Sequence, residues 1–310
     1  MDGKVVTYVN EHGETKILRN ISELGNGSFG VVYKALLDGF GEVAVKYMKR
    51  ISETDIKSAL LEYKKAHLLE KHSLVLRKII TTEDTRDDFP DLLNQPFISI
   101  TDSPIRKYKI LFIYDLGVGM DLFDVIGMSF TSGIPITLEV LKQYMTQLLE
   151  GIIEIRNAGI IHRDIKPENI MLHNGNLKYI DYGMICEPQG DNKCKGVLGT
   201  SLFISPKIIK ADEEHREPSE KDWYDGDLYA LGITFINLIA QRTPFDDAPR
   251  QVDYKFRKSP VNIAYRQVKL EVEDILDAKN LMDFFPLIHG LTSENPITPE
   301  EALTMVSNLN

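Results

Sequence analysis

Apolar and polar residues alternate with period two through the first third of the chain. "KVVTYV" and "ETKILR" do so around an Asn-Glu-His-Gly turn, and "GVVYKALL" and "GEVAVKYM" around Asp38-Gly39-Phe40-Gly41. Each pair reads as a β-hairpin, because neighbouring strand side chains face opposite sides and glycine lets the chain reverse. The period then lengthens. "SETDIKSALLEYKKAHLLEKH" repeats apolar residues three and four apart, with Ser52 placed as a cap and Glu53 and Asp55 in the first turn, which predicts a helix. "QPFISITDS" and "YKILFIYD" return to the strand pattern.

Beyond residue 118 the helical period prevails. Leu141, Tyr144, Met145, Leu148, Leu149 and Ile152 share one helix face, and Asn157-Ala158-Gly159 supplies a C-terminal glycine stop. "DLYALGITFINLIAQ" is apolar nearly all round and predicts a central buried helix. In "TPEEALTMVSNL", Thr298 stands at the cap, Pro299 in the first turn and Glu301 where a capping box closes. A sheet-rich lobe, the short segment "DLGVG" and a helical lobe make an α+β chain, with a ligand expected where the lobes meet. There is no internal repeat and no low-complexity tract.

Length agrees with two lobes, since 310 residues exceed the usual single core. The formal net charge of −10 is spread along the chain, which argues against nucleic acid as a partner. Two cysteines, Cys186 and Cys194, are too few for a disulfide scaffold and point to a reducing, cytoplasmic or otherwise intracellular setting. The amino terminus lacks an apolar signal core, and the longest apolar run is too short to span a bilayer.

Candidate chemistry starts from "GIIHRDIKPENIML", residues 159–172, which sets His162, Arg163, Asp164, Lys166, Glu168 and Asn169 between two apolar runs. Charge so placed is either fully paired or aimed at a ligand, because unpaired burial costs several kcal/mol. "YIDYGM" follows with Asp181. Asp164, Asn169 and Asp181 form a hard-oxygen set suited to Mg²⁺ held jointly with nucleotide phosphates, and not to zinc. Earlier in the chain, Gly25, Gly27 and Gly30 lead into a strand rather than a helix, so a dinucleotide-binding reading fails. What remains is either a plain turn or a backbone close enough to hold an anion. Lys46 ends an apolar strand, and Glu62 on the next helix is its candidate ion-pair partner.

In this order the residues resemble the eukaryotic-type protein kinase family, serine/threonine branch, over essentially the whole chain. The match includes the glycine-rich loop (Gly25, Gly27, Gly30), the strand lysine (Lys46), the helix glutamate (Glu62) and the catalytic loop (His162, Arg163, Asp164, Asn169). Asp181-Tyr182-Gly183 stands at the metal-binding triplet, with tyrosine for the usual phenylalanine. "GTSLFISP" is similar to the end of an activation segment, and Asp227 and Gly232 to the start of the helix beneath the catalytic loop. The resemblance implies a single bilobal kinase domain over 1–310, with a small antiparallel-sheet N-lobe at 1–116 carrying one main helix and a larger helical C-lobe at 117–310.

It also implies ATP and Mg²⁺ as cofactors and a protein substrate. Backbone amides of Asn26, Gly27, Ser28, Phe29 and Gly30 would cover the phosphates, Lys46 would hold the inner ones, and Asn169 and Asp181 would hold the metal. Asp164 would orient the substrate hydroxyl while Lys166 offsets charge on the moving group. Val32 and Ala44 would roof the adenine. Asp115 to Gly117 would form the hinge behind Tyr114, with Asp121 near the ribose. Lys166 together with Thr200 marks serine/threonine specificity, and Arg163 favours a protein over a small-molecule substrate. The alternative is a pseudokinase that binds nucleotide as a scaffold.

Several departures carry expectations of their own. No serine, threonine or tyrosine lies between Tyr182 and Thr200, so Glu187 or Asp191 is expected to replace an activating phosphate beside Arg163. Cys186 and Cys194, on the same stretch, are expected to be free thiols, with a disulfide clip as the alternative. Lys207 stands where the family has glutamate, and the arginine that usually pairs with it is also missing, so the exchange reads as compensated. Ala66, one turn after Glu62, is small for its place. Residues 73–95 and 210–223 read as inserted surface loops.

Overall fold

The computed structural model describes residues 5–10, 12–26, 30–48, 51–82, 85, 88–92, 95–96, 110–134, 136–240 and 283–309. Gly27, Ser28, Phe29 and most of "QPFISITDS" lie outside the described residues. The chain divides into two compact units, one of Met1–Glu70 with Leu74–Gly117, the other of Lys71–Ser73 with Val118–Asn310.

In the first unit the two hairpins form as the alternation predicts. Strands β1 (Val5–Val9), β2 (Thr15–Asn26), β3 (Gly30–Leu37), β4 (Gly41–Met48), β5 (Leu76–Thr81) and β6 (Ile110–Asp115) make one antiparallel sheet in the order β1-β2-β3-β4-β6-β5. One face buries Tyr8, Leu18, Tyr33, Val43, Val45 and Tyr47. The Tyr33 and Tyr47 rings meet edge to face at 5.7 Å, and the buried Tyr47 hydroxyl donates to Asn20 Oδ1 at 2.9 Å. The other face packs Met48, Ile79 and Phe112 with Ile56 and Ala59 of helix α1 (Glu53–Leu69). Ser52 caps α1 and Asp55 returns the bond, so the two orphan donors of the first turn are satisfied reciprocally.

Strand β5 corrects the expectation of an inserted loop at 73–95. Its six residues carry no clear alternation, and β6, the strand that pairs with it, comes some thirty residues later. A strand so short and so non-local gives little periodic signal.

The second unit is mainly helical. It contains α2 (Leu122–Ser132), α3 (Leu138–Asn157), α4 (Pro206–Glu213), α5 (Glu220–Ala240), α6 (Phe285–Thr292) and α7 (Pro299–Ser307). A small sheet of β7 (Gly119–Asp121), β8 (Ile170–His173) and β9 (Asn176–Tyr179) joins them, its strands too short for periodicity to reveal. The predicted apolar face of α3 is buried throughout, and Gly159 ends the helix region at φ +74°. Thr298 and Glu301 close the predicted box at α7. Helix α5 is buried along its apolar stretch, and a Cβ on its Gly232 would stand 2.5 Å from Thr292 Cγ2, so glycine permits the close approach of α6.

The stretch 210–223 is not a surface loop. Helix α4 runs to Glu213, α5 begins at Glu220, and only 214–219 are non-helical. Ser219 and Asp222 exchange hydrogen bonds at 2.9 and 3.2 Å, a capping pair hidden within a charged run. No helix among the described residues is long and apolar enough to cross a membrane.

Candidate active site

Three buried supports hold the loop between Ile161 and Asn169 in the second unit. Ile161 exchanges backbone bonds with Cys186, at 2.9 and 3.2 Å. Asp227, near the start of α5 and 4% exposed, accepts from the His162 and Arg163 amides at 2.7 and 2.9 Å. These amides fix the loop where Arg163 adopts φ +67°, a conformation that a non-glycine residue keeps only when its surroundings impose it. Burial raises the Asp227 pKa, an effect only partly offset by His162, Arg163 and the two amides. The third support is the His162 ring, whose Nδ1 accepts from the Asp164 amide at 3.3 Å while its face lies 4.8 Å from the Tyr182 ring.

Asp164 itself is held from two sides. One carboxylate oxygen accepts from the Thr200 amide at 2.9 Å and its hydroxyl at 2.8 Å; the other accepts from Asn169 Nδ2 at 2.7 Å and lies 3.0 Å from Lys166 Nζ. Lys166 also donates to Thr200 Oγ1 at 2.7 Å, closing a ring of three side chains, Asp164, Lys166 and Thr200, to which Asn169 is joined through Asp164. Burial alone would raise the Asp164 pKa, but the hydrogen bond and charge of Lys166, with the Thr200 hydroxyl, lower it below the ordinary carboxylate value. Gly199 makes this approach possible. It adopts φ +112°, and a Cβ there would sit 2.3 Å from the Arg163 carbonyl oxygen.

Asn169 ends a short 3₁₀ turn, Pro167–Asn169, and spends its amide nitrogen twice on Asp164, at 2.7 Å and 2.8 Å. Its side-chain oxygen remains an acceptor. Asp181 follows β9 with an exposed side chain and φ +58°. No cluster of three or more His, Cys, Asp or Glu residues suited to a metal occurs among the described residues. Two hard oxygens from Asn169 and Asp181 fit a magnesium ion that takes its other ligands from phosphate and water, and do not fit zinc.

In the first unit, strand register gathers the other candidates. Val32 pairs with Lys46, Lys34 with Ala44, Ala44 with Tyr114 and Lys46 with Phe112, so Val32, Ala44 and Lys46 share one sheet face, opposite Tyr33, Val45 and Tyr47. Gly25 and Asn26 lie across from Val32 and Val31 on β2. The glycines are not equivalent: a Cβ at Gly25 meets open space, whereas one at Gly30 would lie 2.2 Å from the Tyr47 carbonyl oxygen. Glu62, 1% exposed, accepts from the Leu76 amide at 2.8 Å. The Asp115 carboxylate is engaged by Arg77 at 2.7 and 3.0 Å and by the Val75 amide at 3.2 Å, Gly117 closes this unit, and in the second unit Asp121 caps α2 through the Asp124 amide at 2.8 Å.

The departures resolve as follows. Cys186 and Cys194 are joined, with S–S 2.04 Å and Cα atoms 5.0 Å apart, so the expectation of free thiols is overturned. Between them the chain turns back on itself, Glu187 N donating to Asn192 O at 2.9 Å and Cys194 N to Glu187 O at 3.3 Å. Both sulfurs sit in an apolar cluster with Ile161, Ile208 and Trp223, and the cysteine-based argument for a reducing compartment falls with the free thiols. Arg163 donates to the carbonyls of Met184 and Lys195, at 2.5 and 3.2 Å, so main-chain oxygens just before and just after the clipped stretch engage its guanidinium. Burial lowers its pKa to about 10. Lys207 finds Asp225 of α5 at 2.8 Å and Asp222 at 3.8 Å, partners that family comparison alone does not suggest.

Comparison with known proteins identifies the family. Residues 18–306 match the family model described as "Protein kinase domain". The chain is 27% identical over 224 residues to the phosphorylase b kinase gamma catalytic chain, liver/testis isoform, of Bos taurus, covering 72% of this chain and 50% of that one. It is 27% identical over 241 residues to CBL-interacting serine/threonine-protein kinase 18 of Arabidopsis thaliana, covering 75% and 39%. With serine/threonine-protein kinase ste20 of Aspergillus fumigatus it shares 24% over 274 residues, covering 87% and 28%. The chain thus spans half or less of the length of these relatives. With the match running through both units and through every loop described above, the chain belongs to the protein kinase family.

Proposed function

We propose that this chain is an active serine/threonine protein kinase, transferring the γ-phosphoryl group of ATP to a hydroxyl of a protein substrate. The observation that carries the reading is the ring of Asp164, Lys166 and Thr200, with Asn169 bonded to Asp164 from the other side, which leaves an ionised carboxylate fixed in direction. A scaffold that only binds nucleotide has no physical need for such a ring.

Phosphoryl transfer through a loose transition state asks mainly for positioning and charge stabilisation. A carboxylate held below its ordinary pKa is a weak base at neutral pH, so Asp164 orients the incoming hydroxyl and takes its proton late. Lys166 offsets charge on the moving group. Asn169 and Asp181 hold Mg²⁺, which when bound neutralises charge on the phosphate oxygens. Lys46 holds the inner phosphates, assisted by Glu62 from α1. Val32 and Ala44, on the same sheet face as Lys46, cover the base; by the family resemblance the amides of 26–30, of which only Asn26 and Gly30 are among the described residues, would cover the phosphates. Asp115 to Gly117 offer main-chain groups to the base, and Asp121 takes the ribose. Hydroxyl selectivity follows from Lys166 bound to Thr200, and the serine/threonine kinases among the relatives support it.

The test is transfer of labelled phosphate from ATP to matched serine and tyrosine peptides. The serine peptide is expected to be labelled, and Asp164→Asn to lower turnover about 10²–10⁴-fold. Nucleotide binding without transfer would establish the scaffold reading instead.

A further inference from the structure

Tyr182 stands where the family has phenylalanine, and its phenol is fully buried. A buried hydroxyl without a partner is costly, so what it meets matters. It meets Ser73: the two side-chain oxygens share a hydrogen bond, and both residues are buried. Ser73 ends a three-residue segment, Lys71–Ser73, that belongs to the second unit although the chain on either side belongs to the first.

This segment is a fixed point. The His72 ring lies between Glu154 at 2.5 Å and Glu150 at 3.0 Å, both on α3. The Lys71 amide donates to Glu154 at 3.2 Å, the Tyr179 amide donates to the His72 carbonyl at 2.8 Å, and the Lys178 ammonium donates to the Lys71 carbonyl. The Tyr182 ring is thus gripped at both ends, by His162 at its face and Ser73 at its hydroxyl. Its covalent neighbour is Asp181, held at φ +58° just before it. Swinging Tyr182 out would break the hydroxyl bond, uncover the ring and drag Asp181 away.

We propose that the Ser73–Tyr182 hydroxyl pair is a latch that fixes Asp181 for its metal, making Ser73 and Tyr182 positioning residues. The inference rests on reading Asp181 as a metal ligand. Phenylalanine at this position would keep the ring packing against His162 and lack the hydroxyl bond. Tyrosine adds a directional tie to a serine whose own backbone is anchored, and so narrows the orientations open to the residue before it.

Tyr182→Phe keeps the ring and removes one oxygen, and Ser73→Ala removes the other. Binding of Mn²⁺ together with a non-hydrolysable ATP analogue is measured by calorimetry, and hydrogen exchange is followed at the amides of 181–185. Each single variant is expected to raise the Mn²⁺ concentration for half-loading about tenfold, the effect of one lost buried hydrogen bond, with the peptide KM unchanged. Exchange at 181–185 is expected to quicken by a similar factor. The double variant should be no worse than either single one, because the two oxygens act as one unit. Wild-type-like half-loading and exchange in Tyr182→Phe, or additive losses in the double variant, overturn the proposal. A wild-type protein that loads no metal with nucleotide overturns the reading of Asp181, while exchange still reports whether the latch holds the segment.

Discussion

The sheet face bearing Val32, Ala44 and Lys46 and the loop bearing Asp164 solve the same problem by different means. On the sheet, register alone sets the direction of each side chain, because the backbone hydrogen bonds are already spent on neighbouring strands. In the loop the backbone is irregular, with Arg163 at positive φ, and its polar groups are met by side chains of Asp227, His162 and Asn169, while the Thr200 amide and hydroxyl hold the Asp164 carboxylate. Regular structure places a residue with little help. Irregular structure needs a dedicated partner for each group, so single substitutions should damage it more.

The largest contrast is expected at Asp227. Asp227→Ala strips the His162 and Arg163 amides of their acceptor and should lower the unfolding free energy by about 3–5 kcal/mol in urea titration. A loss under 1 kcal/mol would show that the loop is held otherwise. Next come two glycines that face carbonyl oxygens. Gly199→Ala adds positive-φ strain to a 2.3 Å clash, whereas Gly30→Ala brings only a 2.2 Å clash on a strand. The first should cost about 2–4 kcal/mol and the second about 1–3 kcal/mol by thermal melting, and a reversed order would contradict the comparison.

The disulfide gives a third, smaller test. Opening it in the Cys186→Ser/Cys194→Ser variant should lower stability by about 2–3 kcal/mol, the value for a short closed loop, and loosen the carbonyls that occupy Arg163. An unchanged melting temperature with and without a dithiol reductant would remove the clip from the account.

The subtlest test uses pH. Asp164 has a folded pKa below its unfolded one, so its contribution is present above the ordinary carboxylate pKa and is lost as pH falls through the lowered value. Lys166→Met removes the strongest of the partners that lower it and leaves burial, which raises it, opposed by the Thr200 hydroxyl and His162. The acid limb of turnover should therefore move to higher pH, and an unmoved limb would show that Lys166 does not tune Asp164.

Sequence showed the two regions unequally. The hairpins, α1, α3, the apolar part of α5 and the capped α7 were legible because period and capping chemistry are local signals. Strand β5 and the three-stranded sheet were not, being short and paired to distant residues. The loop's residue types were readable as a set, and the kinase resemblance ordered them. The partners were harder: Lys207 with Asp225, Arg163 with two carbonyls, and Tyr182 with Ser73 each join residues brought together only by folding. The paired cysteines were misjudged because composition speaks of compartments, whereas a turn eight residues long decides whether two thiols meet.

The segment Lys71–Ser73 has one more implication, for how the molecule can be taken apart. Since the sheet-bearing unit is interrupted by three residues that belong to the other, a single cut after Gly117 cannot part the two cleanly: the fragment 1–117 keeps Lys71–Ser73. A fragment ending there would carry off His72 and Ser73, and the remaining chain would lose the imidazole that Glu150 and Glu154 hold and the hydroxyl that the buried Tyr182 meets. The second unit, not the first, is the one that such a cut would weaken, by about 1–3 kcal/mol for the lost buried hydroxyl bond.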